Sequence, residues 1–251
     1  MKIRPLIISK LLLLIEDLFF YPKLKKHLSK HIDHNSIIFD VGANKGQSIR
    51  FFRSISQYAK IFSFEPNPTL YKYLQQQFHS DSRIELNQSG VSNLNGELEF
   101  QINQLDLTSS FQKLNFNSTY LKNKATILGV KVEDIISETI MAPVIQLNDF
   151  IKENNINVID LIKIDTEGHE YECLQGLFAP LPNEQFVHIK RIQIENHQDD
   201  MYENQVPFEK INELLKKNKF IEECRIKHSF GDFFEIIYIN QDETQYSNTS
   251  V

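Results

Sequence analysis

The chain has very few cysteines. Only Cys173 and Cys224 occur in 251 residues, far apart and in apolar surroundings. Two such thiols exclude a disulfide-stapled scaffold and predict reduced core side chains in a reducing, cytoplasmic compartment. A chain of this length buries enough surface to fold as one large domain without covalent links.

An excess of basic residues is absent as well. The formal net charge is −6, and the isoelectric point calculated from the sequence is ≈ 5.8. The chain also lacks an aromatic-rich basic stretch, so nucleic acid is not a predicted partner.

A long uninterrupted apolar run is missing too. Residues 6–20 are mostly apolar, but Lys10, Glu16 and Asp17 break the run, and a spanning helix needs about 20 apolar residues. Its apolar side chains repeat on one helical face, which predicts a helix at about 5–20, followed by a second at about 22–32. Packing on the domain is the simpler interpretation, and contact with a membrane surface or a partner through residues 1–20 is the alternative.

The rest of the pattern predicts an α/β fold with a doubly wound parallel sheet and a C-terminal antiparallel hairpin. The predicted strands are 37–41, 60–64, 83–88, 159–164 and 187–194, and the hairpin pairs 220–226 with 233–239. The predicted helices are 47–56, 68–78, 148–153, 170–178 and 208–218.

Three regions stand apart from this core. Residues 1–35 form a helical segment, 36–240 the main domain, and 241–251 a polar tail that we expect to be disordered. Residues 97–146 are interpreted as an insertion over the carboxyl edge of the sheet, irregular over 103–126 and with a strand at 127–132.

The first chemistry-bearing segment lies between the first strand and the next helix. Asp40 ends the strand, Gly42 and Gly46 allow a tight turn, and Asn44 between them tolerates left-handed geometry. The unpaired amides at the start of the next helix favour an anionic group, such as the carboxylate of an adenosyl cofactor. A plain strand–turn–helix connection is the simpler alternative.

The second segment follows the second strand and contains Glu65, Pro66 and Asn67. An acid at this strand end can accept hydrogen bonds from the two hydroxyls of a ribose. The first loop reads G-x-x-x-G, whereas a dinucleotide site wants G-x-G-x-x-G. The two segments therefore favour an adenosyl cofactor over NAD.

The third segment places Lys163, Asp165, Glu167 and His169 around one strand end. Three hypotheses compete for it. Asp165 and Glu167 orient the cofactor or the acceptor, His169 acts as a general base, or Asp165, Glu167 and His169 hold a metal ion. No complete tetrahedral ligand set is evident, so no metal is predicted. Lys163 is expected either in this chemistry or simply in an ion pair with a carboxylate.

The fourth segment contains Glu195 and His197 at the end of the next strand. Strand alternation puts both side chains on one side, beside the third segment. His197 is a second candidate for the base, although a hydrogen-bonded surface histidine is the commoner situation. The other six histidines show no such placement and look incidental.

Together these segments resemble the FkbM family of S-adenosylmethionine-dependent methyltransferases over about residues 37–200. The segments that carry the resemblance are Asp40–Gln47, Phe64–Pro68, Leu147–Phe150, Ile159–Gly168 and Ile194–Glu195. The K-I-D-x-E-G sequence that begins at Lys163 is the most specific of them.

The resemblance implies a class I, Rossmann-like methyltransferase fold with a seven-stranded sheet. It implies S-adenosyl-L-methionine as cofactor and O-methylation of a hydroxyl on a sugar, glycan or secondary metabolite. By match, Asp40, Gly42, Asn44 and Gly46 hold the methionyl part and Glu65 the ribose, while Asp165, Glu167 and Glu195 line the reaction crevice. An NAD-linked oxidoreductase and a non-catalytic scaffold in a biosynthetic or membrane complex remain the alternatives, and oligomeric state is not predicted.

Overall fold

The computed structural model describes residues 16–103, 109–180, 187–197, 200–229 and 233–247. Strands β1 to β12 span, in chain order, Ile37–Val41, Lys60–Phe64, Ile84–Asn87, Gly90–Val91, Gly96–Asn103, Ile136–Ile145, Val158–Ile159, Leu161–Ile164, His188–Ile189, Arg191–His197, Phe220–Lys227 and Phe233–Asn240. Helices α1 to α8 span Tyr21–Leu28, Gln47–Ile55, Pro68–Phe78, Thr119–Leu128, Leu147–Glu153, Glu170–Leu177, Phe208–Lys217 and Gln241–Ser247.

The main sheet of the described residues has seven strands in the order β11-β12-β10-β8-β1-β2-β3. Strands β1, β2, β3, β8 and β10 run parallel, and β12 is antiparallel to both of its neighbours. The predicted doubly wound sheet with a C-terminal antiparallel hairpin is confirmed. Because β12 opposes both β10 and β11, the latter two share a direction, and β11 ends at the same edge as the parallel strands.

Helices cover both faces of this sheet. Helices α5, α6 and α7 bury one face, and α1, α2 and α3 bury the other. Strand residues alternate between the two cores, as Ile38 and Phe39 do in β1. The alternation explains why these strands are apolar on both faces in their middle sections.

One row of the sheet is polar instead. Ser63, Asp40, Lys163 and Gln193 are successive register partners on β2, β1, β8 and β10. All four are buried, with Asp40 fully enclosed. This row lies next to the carboxyl ends of the strands. Its polar side chains can therefore form hydrogen bonds with residues of the loops that follow these strands.

The region 97–146 differs from the prediction. Strands β5 and β6 pair in a small sheet with β4, but α4 occupies part of the segment expected to be irregular and of the expected strand 127–132. Ser118 caps this helix by accepting a hydrogen bond from the backbone N–H of Leu121, and Gly129 ends it at a φ of 65°. Leu121 and Ala125 lie one turn apart on the buried face of this helix. Their spacing of four residues is typical of a helix, and the sequence interpretation did not take it into account.

Both ends of the chain also bear on the predictions. Residues 1–15 lie outside the described part, Glu16–Phe20 form a π-helical turn, and the helix expected at 22–32 ends at Leu28. The tail is not disordered from residue 241, because α8 spans Gln241–Ser247. Glu243 lies 2.6 Å from His188, which ties this helix to the domain.

Cys173 and Cys224 are both free thiols, but Cys224 is only partly buried, so the predicted core position holds for Cys173 alone. Cys173 is fully buried, and its Sγ donates to the carbonyl of Val91. Within the ranges described above, no helix is long and apolar enough to cross a bilayer.

Candidate active site

A cavity lies at the carboxyl edge of the main sheet, above the polar row. Its walls come from the loop after β1, the segment after β2, the loop after β8, the end of β10 and the residue after β11. Phe20, Tyr21 and Leu24 close one side, and Phe100, Ser109 and Phe111 close another. The N-terminal segment and the 97–146 region thus both contribute to the cavity.

The loop after β1 takes the tight path that its sequence predicts. Gly42, Asn44 and Gly46 all have positive φ, at 86°, 48° and 75°. A Cβ on Gly42 would lie 1.9 Å from the backbone oxygen of Asp165, so only glycine fits there. The loop is therefore pressed between two strand ends, with the N-terminus of α2 beside the cavity.

Asp40 occupies a different place from the one expected. Its side chain is fully buried and not part of the cavity wall. Its Oδ2 accepts hydrogen bonds from Ser48 at 2.8 Å and Ser63 at 3.1 Å. Burial raises the pKa of Asp40, while Lys163 and the two hydroxyls oppose that rise. Asp40 therefore acts on the cavity through Ser48, which does line it.

Glu65 lies in the cavity wall and is nearly buried. Its Oε2 accepts from the backbone N–H of Asn44, and its Oε1 accepts from that of Asn67, both at 2.8 Å. Each carboxylate oxygen has two lone pairs, and these two bonds orient the group within the cavity wall. This geometry suits the two neighbouring hydroxyls of a ribose.

Pro66 and Asn67 have separate positions. Pro66 lines the cavity. Asn67 is buried, and its side chain caps α3 by accepting from the backbone N–H groups of Thr69 and Leu70. Only the backbone N–H of Asn67 points to the site, through Glu65.

We therefore expect Asn67→Ala to lower stability by about 1 kcal/mol, because it removes a helix cap. Cofactor affinity should change little, since the backbone bond to Glu65 remains. Chemical denaturation and calorimetric titration with S-adenosylhomocysteine measure the two quantities. Asn67→Asp keeps the cap and is the control; a large loss of affinity in both variants would place the side chain in the cofactor site.

The loop after β8 is held by several bonds. The backbone N–H groups of Thr166 and Gly168 donate to Oε1 of Glu170, at 2.9 and 3.2 Å. Glu167, at a φ of 55°, accepts from the hydroxyl of Tyr202 at 2.9 Å. Such a braced loop keeps Asp165 and Glu167 in fixed positions on the cavity wall.

Lys163 belongs to an ion pair. Its Nζ lies 2.9 Å from Oδ2 of Asp165 and 4.0 Å from Oδ1 of Asp40. Burial alone would lower the pKa of Lys163, but the charges of Asp165 and Asp40 outweigh it and raise the pKa above its usual value. Lys163 stays protonated near neutral pH and cannot serve as the base.

His169 is not in the cavity wall, which argues against its predicted role as base. It lies behind the loop and is 5% exposed. The side-chain amide of Gln112 donates to Nδ1 at 3.1 Å, so Nε2 carries the proton and donates to the hydroxyl of Ser92 at 3.0 Å. Burial lowers the pKa of His169 to about 4. Its position indicates a structural role.

This burial has a pH-dependent consequence. The folded His169 has a pKa of about 4 against 6.5 for an ordinary histidine, so the unfolded chain binds more protons between these values. The neutral, buried His169 therefore does not lower the free energy of unfolding above pH 6.5. As the pH falls from 6.5 toward 4, protonation of the unfolded chain lowers the free energy of unfolding by up to about 3 kcal/mol. We expect urea unfolding to show a shallower decline over this range for His169→Gln. Parallel curves for the two proteins would contradict the assignment.

Glu195 meets the third segment as expected. Carboxylate oxygens of Asp165, Glu167 and Glu195 all lie within 4.8 Å of one another. The metal hypothesis that included His169 loses that ligand, because the ring of His169 lies behind the loop. The side chain of His197 lies outside the described part of the chain, so its proposed role stays a prediction.

Among the cavity residues that the sequence interpretation missed is His228. It follows β11 and lines the cavity with Glu195 and Glu235. It was overlooked because β11 was interpreted only as half of a hairpin. The direction of β11 and the edge at which it ends depend on its pairing with β12, which no local sequence pattern shows.

The profile of the methyltransferase FkbM domain matches residues 40–222. The chain belongs to the FkbM methyltransferase family. The match covers the first loop, Glu65, the loop after β8 and the end of β10, so it includes the candidate cofactor residues.

Individual relatives agree with this assignment. The chain is 26% identical to the 2-O-methyltransferase NoeI of Sinorhizobium fredii over 180 residues, which are 71% of this chain and 70% of NoeI. It is 22% identical to the hexuronic acid methyltransferase AglP of Haloferax volcanii over 174 residues, 69% of this chain and 63% of AglP. The crystal structure of an FkbM methyltransferase from Methylobacillus flagellatus KT superposes with a TM-score of 0.51 at 14% identity, over 83% of this chain and 44% of that one.

The predicted class I methyltransferase fold is thereby confirmed, and the protein is a methyltransferase that uses S-adenosylmethionine. The alternative of an NAD-linked oxidoreductase is not favoured. The residues present fit the cofactor, since Glu65 offers oriented acceptors and the N-terminus of α2 offers backbone donors.

Proposed function

We propose that this methyltransferase transfers the methyl group to a hydroxyl of a sugar or sugar-containing acceptor. The observation that carries the proposal is the cavity at the strand ends. Glu65, the candidate ribose ligand, lines the same cavity as the carboxylates Asp165, Glu167 and Glu195. NoeI and AglP, by their names, are a 2-O-methyltransferase and a hexuronic acid methyltransferase. Both names support a hydroxylated carbohydrate acceptor here.

Different groups of cavity residues would bind different parts of the cofactor and the acceptor. Glu65 would hold the ribose, and the loop of Gly42, Asn44 and Gly46 with the start of α2 would hold the methionyl end. The cofactor supplies an electrophilic methyl group when bound. The acceptor hydroxyls would donate hydrogen bonds to Asp165, Glu167 and Glu195, which would fix the position of the reacting oxygen. Alignment of this kind can lower the activation barrier by about 7–11 kcal/mol.

The charge of the cavity favours an uncharged acceptor. Its wall contains five carboxylates, listed here in chain order: Glu65, Asp165, Glu167, Glu195 and Glu235. Among the described lining residues, the only lysine or arginine is Lys163, and Asp165 already pairs with it. A uronate or a phosphorylated sugar would meet like charge, so we expect a neutral sugar to be the better acceptor.

The test pairs a neutral sugar with its acidic counterpart. The full chain and S-adenosylmethionine are incubated with glycosides of glucose and of glucuronic acid, and with larger neutral glycans, and products are identified by mass spectrometry. The proposal expects one added methyl ether on a neutral sugar. Methylation of amines but not hydroxyls would refute the acceptor class, and preference for the glucuronide would refute the charge argument.

We also propose that the N-terminal segment touches a membrane surface. Leu18 and Phe19 are adjacent and 60% and 59% exposed, and Lys23, Lys25 and Lys26 are exposed nearby. This pairing of apolar and basic side chains suits anionic lipids. Co-sedimentation with phosphatidylserine vesicles should be lost in a Leu18→Ser, Phe19→Ser variant; equal sedimentation of both proteins would contradict the proposal.

A further inference from the structure

We propose that His228 is the catalytic base that takes the proton from the acceptor hydroxyl, an inference that rests on the proposed function. Its imidazole lines the cavity that also contains Glu65 and Asp165. Neither its spacing in the sequence nor the segments matched above assign it a role, since it lies beyond residue 222.

The setting of the ring suits proton transfer. Nε2 of His228 lies 3.5 Å from Oε1 of Glu195 and 3.8 Å from Oε1 of Glu235. These two glutamates are register partners on β10 and β12, so the sheet holds both beside the ring. Two carboxylates at this range stabilise an imidazolium once it forms.

The orientation of the ring is fixed from other sides. Phe20 stacks on the imidazole at 3.9 Å between ring centroids, with an angle of 18° between the planes. Phe233 meets it edge-on at 6.4 Å. The backbone N–H of His228 donates to the carbonyl of Phe233 at 3.1 Å. A ring held in this way is ready to accept a proton without reorganisation.

The other candidate groups are less suitable. His169 lies behind its loop with both ring nitrogens engaged, and Lys163 stays protonated beside Asp165. Glu235 accepts a hydrogen bond from the side-chain amide of Gln193 at 3.0 Å, which indicates a supporting role. Histidine has the ordinary pKa best suited to the step near neutral pH.

The proposed step balances. The acceptor oxygen forms a bond to the methyl carbon, and the carbon–sulfur bond of the cofactor breaks with its electron pair on sulfur. The hydroxyl proton moves to the imidazole ring of His228, whose Nε2 faces the two glutamates, and is later released to solvent. Glu195 and Glu235 offset the positive charge on the ring in the meantime.

The test compares His228→Gln with His188→Gln. His188 also pairs with a glutamate, Glu243, but lies outside the cavity wall. We expect kcat to fall by about 100-fold or more in His228→Gln, because general base catalysis contributes about that much. Binding of S-adenosylhomocysteine should be unchanged in it, and His188→Gln should keep the wild-type rate. A rate in His228→Gln within about threefold of wild type would overturn the proposal.

The pH profile and NMR give independent evidence. The charged groups facing His228 are Glu195 and Glu235, with Lys163 on the same cavity wall. We expect the acidic limb of kcat/KM to vanish in His228→Gln and to move to lower pH in Glu235→Gln. Ring proton resonances of His228 should shift with pH in the full chain with S-adenosylhomocysteine bound, as those of a ring that takes up and releases a proton do.

The outcomes separate this proposal from the proposed function. If wild type methylates no sugar, the acceptor class fails, and the NMR titration still decides about His228: a ring that does not titrate overturns its role. Activity of wild type that is abolished by EDTA and restored by Mg²⁺ or Mn²⁺ would also overturn it. The cluster of Glu195, His228 and Glu235 would then be a metal site, since their ligand atoms lie within 4.8 Å of one another.

Discussion

Replacing Glu65 by alanine is expected to weaken S-adenosylhomocysteine binding by about 100-fold or more while the protein stays folded. Glu65 is the carboxylate in the cavity wall whose two oxygens are already oriented by backbone N–H groups of Asn44 and Asn67. Hydrogen bonds to a charged group contribute about 1.5–3 kcal/mol each, and each 1.4 kcal/mol is tenfold in affinity. Loss of the two hydrogen bonds that we propose Glu65 accepts from the ribose would account for the expected change.

A milder variant separates lost ligand bonds from a disturbed loop. In Glu65→Gln the side chain keeps its shape, but its amide donates at one position where the carboxylate accepted, facing either Asn44 N–H or Asn67 N–H. We expect an intermediate loss of affinity in Glu65→Gln.

The matched control is Glu85→Ala on the neighbouring strand, where the glutamate pairs with Lys60 at the surface. Isothermal titration gives the affinities, and thermal unfolding shows whether each variant is folded. Wild-type affinity in a folded Glu65→Ala protein would refute the ribose assignment, and an equal loss in Glu85→Ala would show that the assay reports stability.

The sequence was most informative where one local rule decided the structure. Strand β1, the loop at Gly42 to Gly46 and strand β2 were predicted to within a residue, because apolar runs, glycines and a strand-end acid act locally. The cavity position of Glu65, Asp165, Glu167 and Glu195 followed from the rule that parallel strands end at one edge.

The wrong predictions concern residues whose structure is determined by tertiary packing. The buried position of the His169 ring depends on its hydrogen bonds with Ser92 and Gln112. These residues are 77 and 57 positions away in the chain, so no local pattern indicates them. Helix α4 depends on burial of Leu121 and Ala125 against Met201 and Tyr202 in a separate small core. In a polar segment such burial outweighs weak local propensity.

His228 was missed for a different reason. Its place depends on topology, because β12 lies between β10 and β11 and so brings the end of β11 to the ligand edge. Phe20, which stacks on His228, lies 208 positions earlier in the chain, and no spacing rule links the two. Residues contributed by the last strands and by the N-terminal segment are therefore the part of this site that required the three-dimensional arrangement.

Replacing Gly42 by alanine is expected to cause the largest loss of stability of any substitution considered. The φ of Gly42 is 86°, which costs an L-residue about 1–2 kcal/mol, and the new Cβ would lie 1.9 Å from the backbone oxygen of Asp165. That oxygen belongs to a residue whose N–H bonds to Val41 and whose carboxylate pairs with Lys163. Relief of the clash must therefore move the first loop away from the end of β8.

Gly96→Ala isolates the backbone contribution to this loss. Gly96 has a φ of 151°, and its Cβ would have its nearest neighbour, Cδ1 of Leu94, at an ordinary 3.6 Å. We expect it to cost about 1–3 kcal/mol from the unfavourable φ alone, whereas Gly42→Ala should cost at least about 4 kcal/mol, a range reached only by severe packing or backbone faults. Urea unfolding measures both, and S-adenosylhomocysteine affinity should fall only in Gly42→Ala. Equal stability of the two variants would mean that the loop after β1 can move away from Asp165 at little cost, and the close approach of these two strand ends would then not be what shapes the cofactor site.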